Sequence, residues 1–276
     1  TFEAYREAKG MLFSALQTAF AKGIPKAAVV NADDPSANAM AALSGTDPIQ
    51  FGLDSREAAV TARNIILRAD GTDFRLETPN GRAEASIGLP ALFNVMNALC
   101  AAGVGIACGA NVQDIARGLT QAPGVPGRME RIVAGQPFEV IVDYAHTGEA
   151  VRKVLEVLRE VGPSRLIVVV GAAGERDPGR RYGVGRAAAE GADFSVFTNE
   201  DPRSEDPAAI VHEIGRHAES VGKARGEDFI EIEDRREAIR EALARAKAGD
   251  IVAILGKGHE KSIILGTQSI PWDDRD

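Results

Sequence analysis

The stretch Thr198–Pro207, TNEDPRSEDP, follows an apolar run, DFSVF, that reads as a strand, and it sets one arginine, Arg203, among four carboxylates. Three other segments carry a similar chemical load: DYAHTG from Asp143, GAAGERDPGRR from Gly171 and GKGHEK from Gly256. A guanidinium donates two parallel hydrogen bonds from a planar fork, so Arg203, Arg176, Arg180 and Arg181 suit a carboxylate or a phosphate. In GKGHEK the glycines let backbone approach a ligand. Glu260 offers a carboxylate to an ammonium group, and Lys257 or His259 a donor to an acid. Arg203 for a carboxylate and Glu260 for an amine would together recognise an amino acid. Plainer readings stand beside these: Asp143 can cap the helix that follows it, His146 can be a satisfied loop histidine, and the arginines can be solvated. GAAGERD lacks the G-x-G-x-x-G pattern of a dinucleotide site, which speaks against a dehydrogenase.

These segments need elements to hold them. From residue 129 onward, the runs FEVIVDY, RLIVVVG, DFSVFT, DFIEI and DIVAILG alternate with helical runs such as GEAVRKVLEVLREV. That alternation predicts an α/β unit with a mainly parallel sheet, in which ligands collect at the carboxyl ends of the strands. All four loaded segments fall at such ends. Upstream, FEAYREAKGMLFSALQTAF has a helical period, with Phe2, Tyr5, Met11, Leu12, Leu16 and Phe20 fitting one helical face. AAVVNADDP reads as a short strand running into an acidic turn. Residues 59–88 hold strand runs broken by DG and NG, which are hairpin signals. Two helices follow, LFNVMNALCAAGVGIACG and VQDIARGLTQA, before the Pro/Gly-rich PGVPGR, which marks a domain boundary. The organisation read from this is 1–128 followed by 129–276.

The composition, 276 residues with 45% hydrophobic and 26% charged, is that of a soluble globular protein large enough for two cores. A net charge of -8 without a basic stripe argues against a nucleic-acid partner, because such binding depends on clustered Lys and Arg. Cys100 and Cys108 sit in an apolar run, where thiols act as core residues, and a reduced, cytoplasmic setting follows. No run is apolar and long enough for a bilayer and no leader precedes the first helix, so no membrane insertion is expected. Entry at Thr1 directly into a helical pattern suggests a piece of something longer.

TFEAYREAKG, NADDP, FNVMNAL, GVPGRME, VDYAHT, GERDPGRR, EDPR, GKGHE and IPWDDRD run in the order found in Mur ligases. The chain resembles that family over essentially its whole length. It is most similar to the members that add the third amino acid of the peptidoglycan stem to UDP-N-acetylmuramoyl-L-alanyl-D-glutamate. The resemblance implies the second half of a central ATP-binding domain over 1–128 and a C-terminal, Rossmann-like amino-acid-binding domain over 129–276, in a monomeric enzyme that uses ATP and Mg2+. Its chemistry would be amide formation: the substrate carboxylate becomes an acyl phosphate, which the amine of a diamino acid attacks. It further implies that Lys9, N6-carbamylated, positions magnesium and that His146 lies close to the nucleotide. Asn94 or Asn97 would lie near the adenine, Arg128 near the phosphates or ribose, and Asp143 on the ribose hydroxyls. Arg176, Glu200, Asp201, Pro202, Arg203, Gly256 and Glu260 would hold the incoming amino acid.

Two departures matter. No G-x-x-x-x-G-K-[ST] phosphate loop occurs in the sequence, so this chain alone is expected to be inactive. Diaminopimelate-adding members usually read DNPR where this chain reads EDPR; Asp201 replaces an asparagine, which leaves diaminopimelate, lysine and ornithine open. The alternative outside enzymes is an amino-acid or nucleotide-binding module. A folate or cyanophycin polymer synthetase is a sibling reading against which GKGHE and EDPR speak.

Overall fold

The computed structural model describes residues 1–20, 23, 25–68 and 71–276. The chain divides into two compact units, Thr1–Pro123 and Gly124–Asp276, and the break falls in the Pro/Gly-rich stretch.

The first unit opens with α1 (Phe2–Thr18), whose N-terminus is capped by the Thr1 hydroxyl accepting from the Ala4 amide. Then come β1 (Val29–Asn31), α2 (Ala37–Ser44) and β2 (Ile49–Phe51), with β2 parallel to β1. The strands β3 (Thr61–Arg68), β4 (Gly71–Thr78) and β5 (Gly81–Ile87) form an antiparallel sheet. Pro79 and Asn80 make the turn from β4 to β5 and Gly81 opens β5, where the NG signal places a hairpin; the DG signal at residues 70 and 71 lies partly outside the described residues. Alternate residues of β4, Phe74 and Leu76, point into a core shared with Val95, Leu99 and Ala102 of α3 (Leu92–Ala107) and Ile115 of α4 (Val112–Gln121). The acidic turn of NADDP also has a structural use: the Asp33 carboxylate accepts the amides of Leu53 at 2.7 Å and Ser55 at 2.7 Å, tying the loop after β2 to the end of β1.

The apolar face of α1 stays open: Tyr5, Met11 and Leu12 are exposed, as is Phe20 just beyond the helix. The helix instead packs on α2 through Gly10, where an added Cβ would come within 2.8 Å of Leu43. Periodicity finds a face, whereas close approach of two helices selects the smallest side chain. Cys108 is also exposed rather than core, because α3 has ended at Ala107 and Cys108 is its C-cap; Cys100 is half-buried and both thiols are free.

The second unit is the predicted alternation. Its elements are β6 (Glu130–Arg131), β7 (Glu139–Asp143), α5 (Gly148–Glu160), β8 (Leu166–Val170), α6 (Gly179–Gly191), β9 (Phe194–Phe197), α7 (Pro207–Glu219), β10 (Phe229–Glu231), α8 (Arg235–Arg245), β11 (Ile251–Leu255), β12 (Ser262–Leu265) and β13 (Gln268–Pro271). The six-stranded sheet has the order β10-β9-β8-β11-β7-β6 and is parallel except for β6. β8 and β11 are buried along their whole length, as apolar central strands covered on both faces must be. Ile167 and Val169 of β8 share a core with Ala238 and Ala242 of α8, so the alternate residues of that strand face the other way. β11 returns from the far edge to insert between β7 and β8. The four loaded loops leave the carboxyl ends of β7, β8, β9 and β11, side by side around that insertion.

Candidate active site

At the end of β7, Asp143 is buried, and its two carboxylate oxygens accept the amides of Met129 and Ala145, each at 2.8 Å. Burial raises its pKa, while those two amides and the nearby Arg128 guanidinium pull it down. It does not cap α5; the Thr147 hydroxyl does, accepting from Ala150. The exposed Arg128 lies over the Tyr144 ring, 4.9 Å from its centroid. His146 has its Nδ1 2.8 Å from the Tyr144 carbonyl and its ring edge-on to Tyr144.

Tyr144 joins two loops. Its hydroxyl donates to Glu260 Oε1 at 3.2 Å, and its phenol pKa is raised by burial and by that carboxylate. The loop around Gly127 meets the same place. Gly127 has φ +67°, and a Cβ there would run into the backbone of Gly258 and His259, so only glycine permits the two loops to touch.

The carboxylates of EDPR are placed differently from one another. Asp201 accepts from Lys257 Nζ at 2.8 Å and from the Ile264 amide at 3.0 Å. Lys257 is 1% exposed and also pairs with Glu260 Oε2 at 2.6 Å. Glu200 is buried with Oε2 lacking a hydrogen-bond partner among the described residues, and a Cβ on Gly256 would sit 2.6 Å from that oxygen. Pro202 is buried beside it. Arg203 has φ +55° and is clasped by the hairpin: its amide donates to Ile264 and its carbonyl accepts from Gly266. Its Nε is buried without a hydrogen-bond partner. The preceding loop is fastened to the same segment, since Glu175 bonds the Ser204 hydroxyl and the Gly174 amide donates to the Asp201 carbonyl. Arg176 is exposed beside it, whereas Arg181 is buried against Glu205 at 2.6 Å and Glu213 at 2.7 Å and holds structure.

This arrangement sets guanidinium groups and carboxylates on one edge of a parallel sheet, and comparison with known proteins gives it a family. Residues 1–105 match the Mur ligase middle domain, and residues 127–258 match the Mur ligase, glutamate ligase domain. The chain belongs to the Mur ligase family. It is 45% identical over 280 residues to the UDP-N-acetylmuramyl-tripeptide synthetase of Roseiflexus sp. (strain RS-1), across 99% of this chain and 55% of that protein. It is 40% identical over 277 residues to the UDP-N-acetylmuramoyl-L-alanyl-D-glutamate--2,6-diaminopimelate ligase of Geobacillus kaustophilus (strain HTA426), across 100% of this chain and 55% of that protein. A solved structure of a ligase with that same name is 32% identical, with a TM-score of 0.63, and covers 99% of this chain and 55% of that one. The chain therefore spans about half the length of the curated relatives it matches.

The other residues singled out in this Mur ligase chain lie in its first unit. Lys9 is exposed, its Nζ 5.4 Å from the Tyr5 ring centroid, at the rim of a cavity of about 330 Å3 lined by Tyr5, Asn31, Asp34 and Cys100. No three His, Cys, Asp or Glu side chains converge among the described residues. Asn94 is buried and donates to the Pro90 carbonyl at 2.6 Å, which is a packing role at the start of α3; Asn97 is exposed, 3.4 Å from Asn94 Oδ1. Sequence reasoning passed over Tyr144 and Glu175. The only signal for either was its place inside a quoted segment, DYAHT for Tyr144 and GERD for Glu175.

Glu200 gives this Mur ligase unit a pH dependence. Burial lifts its carboxyl from an ordinary 4.5 to about 7, against the opposing pull of Arg235 and Lys257. Between those values the unfolded chain has lost the proton and the folded chain keeps it. Stability is therefore full below pH 4.5, falls as pH rises to about 7 and is level beyond. Glu200→Gln should abolish that slope and add up to about 3 kcal/mol at pH 8. Urea denaturation of both proteins at several pH values from 5 to 8 checks this, and parallel curves would remove Glu200 as the cause.

Proposed function

We propose that this chain is the amino-acid-receiving part of an ATP-dependent acid:amino-acid ligase of peptidoglycan precursor synthesis. The reaction would join meso-diaminopimelate to UDP-N-acetylmuramoyl-L-alanyl-D-glutamate through an acyl phosphate, in the cytoplasm and as a monomer. The observation that carries this reading is the loop cluster of the second unit. Arg203 and Arg176 offer donors to carboxylates, and Glu260 an acceptor for an ammonium, all at the carboxyl ends of a parallel sheet. The names of the relatives, ligases of diaminopimelate, support it.

Lys257 also bears on the choice of amino acid. An unpaired Asp201 would favour a terminal ammonium, as in lysine or ornithine. Lys257 lies 2.8 Å from Asp201 and weakens that argument, so Arg203 favours a second carboxylate. Arg128 and His146 would face the nucleotide, with Asn94 or Asn97 near the adenine and a carbamylated Lys9 near the metal in the first unit. Asp143 fits ribose hydroxyls less well, since both its oxygens are engaged. ATP would supply the phosphoryl group, but the sequence holds no phosphate loop, and turnover by this chain alone is not expected. Calorimetric titration of the chain with meso-diaminopimelate and with L-lysine tests the reading. Binding of the first in clear preference supports it, and indifference to both refutes it.

A further inference from the structure

Lys257 is the least exposed charged group of the loop cluster, at 1%, and touches two carboxylates from different loops. An ammonium so far from water needs both. With Asp201 it forms a pair whose removal from one side leaves a charge stranded. With Glu260 it makes the shorter contact, 2.6 Å, to a side chain that stays 34% exposed. Tyr144 approaches the other oxygen of Glu260. A glutamate on a loop would otherwise sample several rotamers and lose that freedom on meeting a ligand. Here the loss has already been met within the protein, and the remaining open side of the carboxylate has one direction.

We propose that Lys257 is a positioning residue: it neutralises Asp201 and fixes the Glu260 carboxylate as the single acceptor for the ammonium of the incoming amino acid. The part concerning the ammonium rests on the function proposed above; the holding of Glu260 does not. The replacement of asparagine by aspartate in EDPR then reads as one half of a pair, with Lys257 as the other. The groups that face this pair are Glu200 and Glu260, with Tyr144 and Arg235 beside them.

The test uses the chain with Asp201→Asn, with Lys257→Met and with both. Asp201→Asn removes the charge that Lys257→Met would strand, so the double variant should melt close to Asp201→Asn, and Lys257→Met alone well below both. In the double variant, NMR of the Glu260 side chain should show averaged rotamers where Asp201→Asn keeps one. Diaminopimelate should bind the double variant about tenfold or more weaker than it binds Asp201→Asn. A single Glu260 rotamer in the double variant would overturn the proposal whether or not anything binds. Equal diaminopimelate affinity in the double variant and Asp201→Asn would reduce Lys257 to an ion pair of the fold and overturn the proposal as well. If wild type binds no diaminopimelate while Glu260 becomes mobile without Lys257, the holding role stands and the amino-acid reading is the part that fails.

Discussion

Asp274→Ala should lower the stability of the second unit by about 3–5 kcal/mol, the range for breaking a buried ion pair from one side. Asp274 and Arg235 have side chains 0% and 1% exposed, and their bidentate contacts measure 2.7 and 2.6 Å. Arg235 also donates to the carbonyl of Leu255 at 2.9 Å, where β11 ends, and Trp272 Nε1 donates to Asp274 at 2.8 Å. The pair thus ties the start of α8, the end of β11 and the C-terminal segment to one point. Removing the carboxylate leaves a guanidinium in a dry interior hydrogen-bonded, among the described residues, only to the carbonyls of Asn199 and Leu255, which is worse than removing both charges. Arg235→Met combined with Asp274→Leu should accordingly cost less than Asp274→Ala alone. Urea denaturation followed by far-ultraviolet circular dichroism measures both. A loss below about 1 kcal/mol for Asp274→Ala would mean that water reaches the site and that the pair is worth no more than a surface one.

Arg203→Ala should weaken diaminopimelate binding about a hundredfold and leave lysine binding within about twofold. The backbone of Arg203 is held on both sides by the β12–β13 hairpin, in the left-handed region that a non-glycine residue adopts only where its surroundings impose it. The side chain is half-buried, and its Nε lies buried without a hydrogen-bond partner among the described residues. A second ligand carboxylate would pair with the guanidinium, and lysine has none to offer. Calorimetric titration of wild type and variant with both amino acids distinguishes the alternatives. Equal losses for the two would place Arg203 on the shared alpha-carboxylate and withdraw the preference for diaminopimelate.

The sequence by itself determined the parallel alternation of the second unit, though not its strand order, its antiparallel edge strand β6 or the β12–β13 hairpin. Unbroken Val and Ile runs such as LIVVV and IVAIL admit little but central parallel strands. Parallel strands in turn oblige every following loop to start at the same edge, so the grouping of DYAHT, GERD, EDPR and GKGHE was legible without coordinates. The first unit was legible in its elements but not in its contacts. The period of α1 picks out an apolar stripe, yet Gly10 makes the close approach to α2, because packing follows the shape of a particular neighbour. Two buried ion pairs were decided by tertiary structure alone. Lys257 lies 56 residues from Asp201, and Arg235 lies 39 from Asp274. No periodicity or motif encodes such a distance, since Coulomb attraction and the avoidance of bare buried charge act through space and not along the chain. A sequence shows which side chains carry charge; only the fold shows which charges have already found each other and which are left for a ligand.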